Sequence, residues 1–62
     1  MRNLIVNHEL QQSGVTVEQL AARLGIQPKE YKQMLTDTDL TAHQIAAAIV
    51  AIDKIVAEQK LY

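Results

Sequence analysis

Apolar residues recur at every third or fourth position in four stretches of the chain, and short polar or glycine-containing stretches separate them. This spacing places the apolar side chains on one face of a helix. The separators contain Gly14, Gly25, Pro28 and the polar run 36–39. The pattern predicts an all-α fold in one domain, although the apolar run 4–6 is also compatible with a short strand. Within the domain 1–62, the predicted helices lie at approximately 3–12, 17–24, 28–35 and 41–60.

The predicted helix ends carry specific signals. Thr16 with Gln19, and Thr41 with Gln44, have the spacing of a capping box, in which each side chain accepts a hydrogen bond from the other residue's backbone N–H. Gly25 is predicted to end the second helix, because glycine adopts the left-handed conformation at little cost. Pro28 suits the first position of the third helix, since the N–H that proline lacks would be unpaired there.

The last predicted helix has apolar residues on two sides. One side is formed at four-three-four spacing by Ile45, Ile49, Ile52 and Val56, with Ala48 and Ile55 beside them. The other side is formed by Ala46, Val50 and Ala57. A helix with two apolar sides usually has two neighbours. One is the core of its own chain; the other is either the first helix or a second copy of the chain. The predicted dimer interface comprises Val50, Ile55, Ala57, Leu61 and Tyr62.

Residues 17–36 read VEQLAARLGIQPKEYKQMLT and contain the sharpest local motif of the chain. The stretch resembles the helix-turn-helix of the Cro/C1-type (XRE-like) family of phage and bacterial repressors. Ala21 matches the small residue at the helix crossing, and Gly25 matches the turn. The inner positions are matched by Leu20, Leu24, Ile26, Tyr31 and Met34. Tyr31 is larger than usual there, so its hydroxyl is expected to reach the surface.

The resemblance implies a compact four- to five-helix bundle of the lambda-repressor type and a small sequence-specific transcriptional regulator. Its helix 28–35 would read the major groove of double-stranded, operator-like DNA. Side-chain chemistry agrees, because Gln33 can pair with adenine and Lys29 or Lys32 with guanine or a phosphate. The residues that the family pattern assigns to DNA are Gln27, Pro28, Lys29, Lys32, Gln33 and Thr36, with Arg23 and Gln19 bracing the backbone. Such proteins usually act as homodimers on palindromic sites.

Charge changes this picture. The net charge of −1 argues against binding through bulk charge, because phosphate neutralisation dominates DNA affinity. Asp37 and Asp39 stand where such repressors often have a basic loop. Two interpretations therefore stay open. A homodimer would double the 6 bases of one chain. Alternatively, the chain is a protein-binding helix-turn-helix module, such as an antirepressor or small inhibitor, that does not bind DNA.

Other chemistry has little support in the sequence. The chain has no cysteine, which excludes disulfides and thiolate metal sites. His8 and His43 are not spaced as a pair of metal ligands, and Ser13 lies beside a turn glycine, where it is interpreted as a helix-end residue. We therefore expect no catalytic site, no metal and no cofactor. The longest apolar run, 45–52, is far shorter than the about 20 residues that span a bilayer. We expect a cytoplasmic protein.

Overall fold

The chain is helical in the computed structural model, which describes residues 3–37 and 39–60. In these residues there are four helices and no strand: α1 (Asn3–Ser13), α2 (Val17–Leu24), α3 (Pro28–Asp37) and α4 (Ala42–Gln59). The predicted all-α class is confirmed, and the run 4–6 is helical rather than extended. No helix of the described residues is both long enough and apolar enough to cross a membrane.

Both capping boxes form as the sequence predicts. The Gln19 backbone N–H donates to Thr16 Oγ1 at 3.1 Å, and the Thr16 N–H donates to Gln19 Oε1 at 3.0 Å. At α4, the Gln44 N–H donates to Thr41 Oγ1 at 3.1 Å and the Thr41 N–H to Gln44 Oε1 at 2.9 Å. Each box satisfies backbone groups that the first turn of a helix leaves unpaired.

The turn 25–27 joins α2 to α3 tightly. Gly25 adopts a left-handed φ of 74°, where a residue with a side chain would be strained. The Gly25 and Ile26 N–H groups donate to the Ala22 and Ala21 carbonyls at 3.2 and 2.9 Å, which closes the end of α2. Pro28 opens α3, as predicted, and the Tyr31 N–H donates to the Gln27 carbonyl at 2.9 Å.

The core lies where the four helices meet. Helix α4 packs across α1 and α2, α2 packs against α3, and α1 also contacts α3. The buried apolar residues are Val6, Leu10, Val15, Leu20, Ala21, Tyr31, Leu35, Leu40, Ala48, Ala51, Ile52 and Ile55. Leu24, Ile26 and Met34, predicted as inner residues of the 17–36 motif, are partly buried against this core.

The buried face of α4 differs from the predicted one. Its buried residues are Ala48, Ala51, Ile52 and Ile55, whereas Ile45, Ile49 and Val56 are only half-buried. The physical reason is that α4 packs on two helices at once, so its most buried line runs between the two sets of contacts. Small side chains at Ala48 and Ala51 allow α1 and α2 to approach α4 closely.

Because the buried face of α4 differs from the predicted one, one residue of the predicted dimer interface is wrong. Ile55 is only 8% exposed and belongs to the core of its own chain, so its side chain is not available to a second copy. Val50 and Ala57 are exposed, as that interface requires. Leu61 and Tyr62 lie outside the described residues. Ala46, on the same strip as Val50, is also exposed, which excludes it from a role in the core.

Helix α1 contributes an unexpected polar residue to the interior. Asn3 is buried together with Val6 and Leu10, whereas Leu4 and Ile5 are exposed. The Asn3 side-chain amide donates to the Leu35 carbonyl at 2.7 Å, and its oxygen accepts from the Leu40 N–H at 3.0 Å. Asn3 thus binds the end of α3 to the segment that leads into α4.

Candidate nucleic-acid interface

The outer face of α3 is polar and exposed. Lys29, Lys32, Gln33 and Thr36, all predicted as DNA contacts, are exposed along this helix. Tyr31 and Leu35 are buried on the opposite side. The helical period separates the two sets, since residues three or four apart share a face. Just before the helix, Gln27 is exposed and Pro28 is half-buried. The structure therefore places Lys29, Lys32, Gln33 and Thr36 on one exposed face of α3.

Buried contacts hold this face in place. Tyr31 is 2% exposed beneath α3, and its hydroxyl is buried with no hydrogen-bond partner in the described residues. The expectation that this hydroxyl reaches the surface is wrong, because the core encloses the whole ring. Burial raises the pKa of the Tyr31 hydroxyl, since the charged phenolate is disfavoured away from water. At the other end of α3, Asn3 fixes the last carbonyls.

Lys32 is already paired with a carboxylate. Its Nζ lies 2.8 Å from Glu18 Oε2, across the contact between α3 and α2, and both side chains are largely exposed. The hydrogen bond from Lys32 is the main cause of a lowered Glu18 pKa, supported by a backbone hydrogen bond and by the lysine charge. Part of the positive charge that a phosphate would meet on α3 is therefore neutralised within the chain.

The two predicted bracing residues of α2 are also engaged. Arg23 lies 2.7 Å from Glu58 Oε2 and donates to Glu58 Oε1 at 2.9 Å, which links α2 to the end of α4. Gln19 uses its side-chain oxygen in the capping box with Thr16. The structure thus engages both side chains in contacts within the chain.

The remaining α3 residues differ in what they can still bind. Lys29 has no ion pair within residues 3–37 and 39–60, so it is the α3 cation without a carboxylate partner there. Gln33 is exposed and its side chain has no hydrogen bond in the same part of the chain. The Thr36 hydroxyl donates to the Lys32 carbonyl at 3.0 Å. Asp37, at the end of α3, is exposed. Glu30, in the first turn of α3, is exposed as well, so acidic side chains lie near both ends of the helix.

Sequence reasoning missed the residues that adjust this face. Glu18 and Glu58 each neutralise a predicted DNA-contacting cation, and Asn3 holds the end of α3. The partners are far apart in sequence, so no local spacing signals them. Asp39 is exposed, as expected for a polar turn, and Thr38 lies outside the described residues.

The described part of the chain contains no group of three or more His, Asp or Glu side chains that could hold a metal ion.

Comparisons with protein-family models, with curated proteins and with solved structures found no match to this chain.

Proposed function

We propose that this chain is a helix-turn-helix domain of the lambda-repressor type, and that it acts as a small sequence-specific DNA-binding regulator of transcription. The observation that carries the proposal is the polar outer face of α3. It follows a tight turn from α2 and is supported from beneath by buried Tyr31 and Leu35. A short helix anchored in this way can enter the major groove while its neighbour contacts the backbone.

Each exposed residue of α3 has a role in this proposal. Gln33 presents an amide that can pair with adenine at two atoms. Lys29 has no carboxylate partner in the described residues and meets a phosphate or a guanine. Lys32 contributes when it exchanges Glu18 for a phosphate. Gln27 and the free N–H groups of the first turn of α3 favour an anion at the helix start.

A homodimer on a palindromic site stays a prediction from the sequence. Two copies would double the cations facing DNA, which a chain of net charge −1 needs more than a basic chain would. Of the residues predicted for the dimer interface, Val50 and Ala57 are described and exposed. The DNA contacts proposed above all lie within one chain and do not depend on this interface.

Selection of duplexes from a randomised pool tests the proposal. The enriched duplex is labelled, and its affinity is measured by fluorescence anisotropy between about 50 and about 200 mM NaCl. Lys29→Ala should weaken binding and lower the salt slope by about one unit, while Gln33→Ala should relax base preference at its position. Lys54→Ala, on α4, is the matched control. Absence of enrichment at low salt, or equal losses for Lys29→Ala and Lys54→Ala, would refute the proposal.

One observation favours a second function, a helix-turn-helix module that binds protein and not DNA. Lys32 and Arg23 are both paired with carboxylates, and Asp37 and Asp39 are exposed at the end of α3. The double substitution Asp37→Asn with Asp39→Asn separates the two functions. A DNA-binding domain should gain affinity for duplex, because two charges that repel phosphates are removed. A protein-binding module should show no duplex binding before or after the change.

A further inference from the structure

A shallow groove lies between the end of α2 and the middle of α4, and we call it the α4 groove. Its floor includes Ala46, Ala47 and Val50, and its rim includes Arg23, His43 and Lys54. The groove has a volume of about 370 Å³. A smaller hollow of about 140 Å³ adjoins it, shares Ala47 and His43, and extends towards Met34. None of the exposed polar residues of α3 lines either hollow.

The floor of the α4 groove is apolar and open to solvent. Val50 is 51% exposed, and Ala46 beside it is exposed as well. From His43 to Lys54 the lining residues follow one face of α4 over about 16 Å, or about three helical turns. Because the floor side chains are small, another helix can approach the α4 backbone closely. Recognition of this kind typically uses a short amphipathic helix laid into the groove.

The rim of the α4 groove is cationic, although the whole chain is slightly acidic. Arg23 and Lys54 flank the floor, and no carboxylate lines it. Lys54 has no ion pair in the described residues, whereas Arg23 is held by Glu58 near one end of the groove. A second copy docked symmetrically on this groove would bring a second Lys54, and no carboxylate from the groove lining, to the first. A helix with acidic flanks would instead pair with Lys54, so charge favours a partner of opposite sign.

We propose that the α4 groove is the docking site for an acidic amphipathic helix of a partner protein. The partner helix places apolar side chains at i, i+4 and i+7 over Val50, Ala46 and Ala47. Its Asp or Glu side chains lie beside Lys54 at one edge and His43 at the other. This goes beyond DNA binding, since the groove and the outer face of α3 are separate surfaces and one chain can use both. A partner helix on Val50 and the homodimer predicted through Val50 exclude each other.

A pair of designed peptides tests the proposal on the intact chain. The first is a peptide of about 18 residues, long enough to be helical in water, with a leucine stripe flanked by glutamates. The second carries lysine at every glutamate position. Binding is followed by amide chemical shifts of the ¹⁵N-labelled protein. The acidic peptide should bind and shift the resonances of Ala46, Ala47 and Val50, with an affinity that falls as salt is added. The basic peptide should not bind.

Two variants, Val50→Asp and Lys54→Ala, test whether the acidic peptide binds in the α4 groove. Val50→Asp should weaken the acidic peptide at least about tenfold, because a buried valine contact is lost and a like charge is added. Ile5→Asp is the matched control, since Ile5 is also 51% exposed but lies on α1. It should leave binding unchanged. Lys54→Ala should weaken binding about threefold.

Three results would overturn the docking proposal. The first is failure of the acidic peptide to bind the unmodified chain. The second is equal binding of the acidic and basic peptides. The third is a homodimer in sedimentation that Val50→Asp dissociates, because the groove would then be covered by a second copy. Amide spectra of each variant confirm that it is folded before its affinity is compared.

Discussion

The outer face of α3 and the α4 groove are two exposed surfaces that differ in polarity and in the pairing of their cations. On α3 the side chains are long and polar, and a carboxylate from α2 already pairs with Lys32. In the α4 groove the floor is apolar, and the rim lysine, Lys54, has no ion pair in the described residues. A ligand that contacts Lys32 must replace its ion pair with Glu18, whereas a ligand of the groove gains affinity mainly by covering Val50 and its neighbours.

The two proposed partners would therefore be bound through different forces. Binding of DNA phosphates at α3 depends on charge, so it should respond strongly to salt. Binding at the groove depends on burial of apolar area, so it should respond strongly to side-chain size. Arg23, which was predicted to brace DNA, lies on the rim of the groove and is paired with Glu58.

The largest predicted effect comes from a substitution that removes the support of α3 and changes no residue of the α4 groove. Asn3→Ala removes the acceptor for the buried Leu40 N–H and the donor to the Leu35 carbonyl. The free energy of unfolding should fall by about 2 to 3 kcal/mol, because buried backbone groups lose their partners. Urea unfolding measures this. Asn7→Ala, at an exposed position of the same helix, should change stability little; an equal loss would contradict the role given to Asn3.

A smaller effect is expected at the turn between α2 and α3. Gly25→Ala places a side chain at a φ of +74°, although nothing lies within 4 Å of the new carbon. The left-handed conformation alone should lower stability by about 1 to 2 kcal/mol. Gly14→Ala, at a φ of +76° with equally open surroundings, should lower it by the same amount. Amide shifts should change around α3 for the first variant and around α1 for the second.

Tyr31→Phe should raise the stability of the chain, whereas the two preceding substitutions lower it. The variant removes a buried hydroxyl that has no partner in the described residues, so the free energy of unfolding should rise by up to about 1 kcal/mol. The pKa of Tyr31 is raised by burial, so the unfolded chain ionises at a lower pH than the folded chain. Stability should therefore be lost as pH rises above about 10, and Tyr31→Phe should lose less. A destabilised variant at neutral pH would show that the hydroxyl has a partner.

The smallest expected effect adjusts the charge of α3. Glu18→Gln releases Lys32 and should raise duplex affinity about twofold, as measured by anisotropy. Glu9→Gln removes the same charge from α1 and serves as the control. The lowered pKa of Glu18 means that the ion pair persists at neutral pH and is lost only as pH falls through that pKa. Equal gains for Glu18→Gln and Glu9→Gln would mean that net charge alone matters.

Local chemistry explains why the helix ends with a capping or turn signal were predictable, whereas α3 extends to Asp37, beyond its predicted end at 35. Thr16, Gly25, Pro28 and Thr41 act within one turn of the chain, and each lies where its signal placed a helix end. The rotation of α4 was not predictable in the same way. Its periodicity favours Ile45, Ile49, Ile52 and Val56 almost as well as the observed face. Only the positions of α1 and α2 around α4 decide which alanines become buried.

In the candidate site, too, some features were predictable from the sequence and others were not. Exposure of Lys29, Lys32 and Gln33 follows from helical spacing, so the outer face of α3 was predictable from the sequence. Its charge was not. The Glu18 contact with Lys32 spans the α2–α3 turn, and the Glu58 contact with Arg23 joins two residues that are 35 positions apart in the sequence. Such pairs depend on how whole helices pack, which no single stretch of sequence encodes.

The Asn3 contact has a consequence for the order of folding. Asn3 leaves the ribosome well before its partners, since the loops that it closes span 32 and 37 residues. Closing loops of that length loses more chain entropy than forming the local capping boxes does. We therefore expect the α2–α3 pair to form first and the Asn3 contact to form late. Asn3→Ala should then accelerate unfolding and leave the refolding rate nearly unchanged.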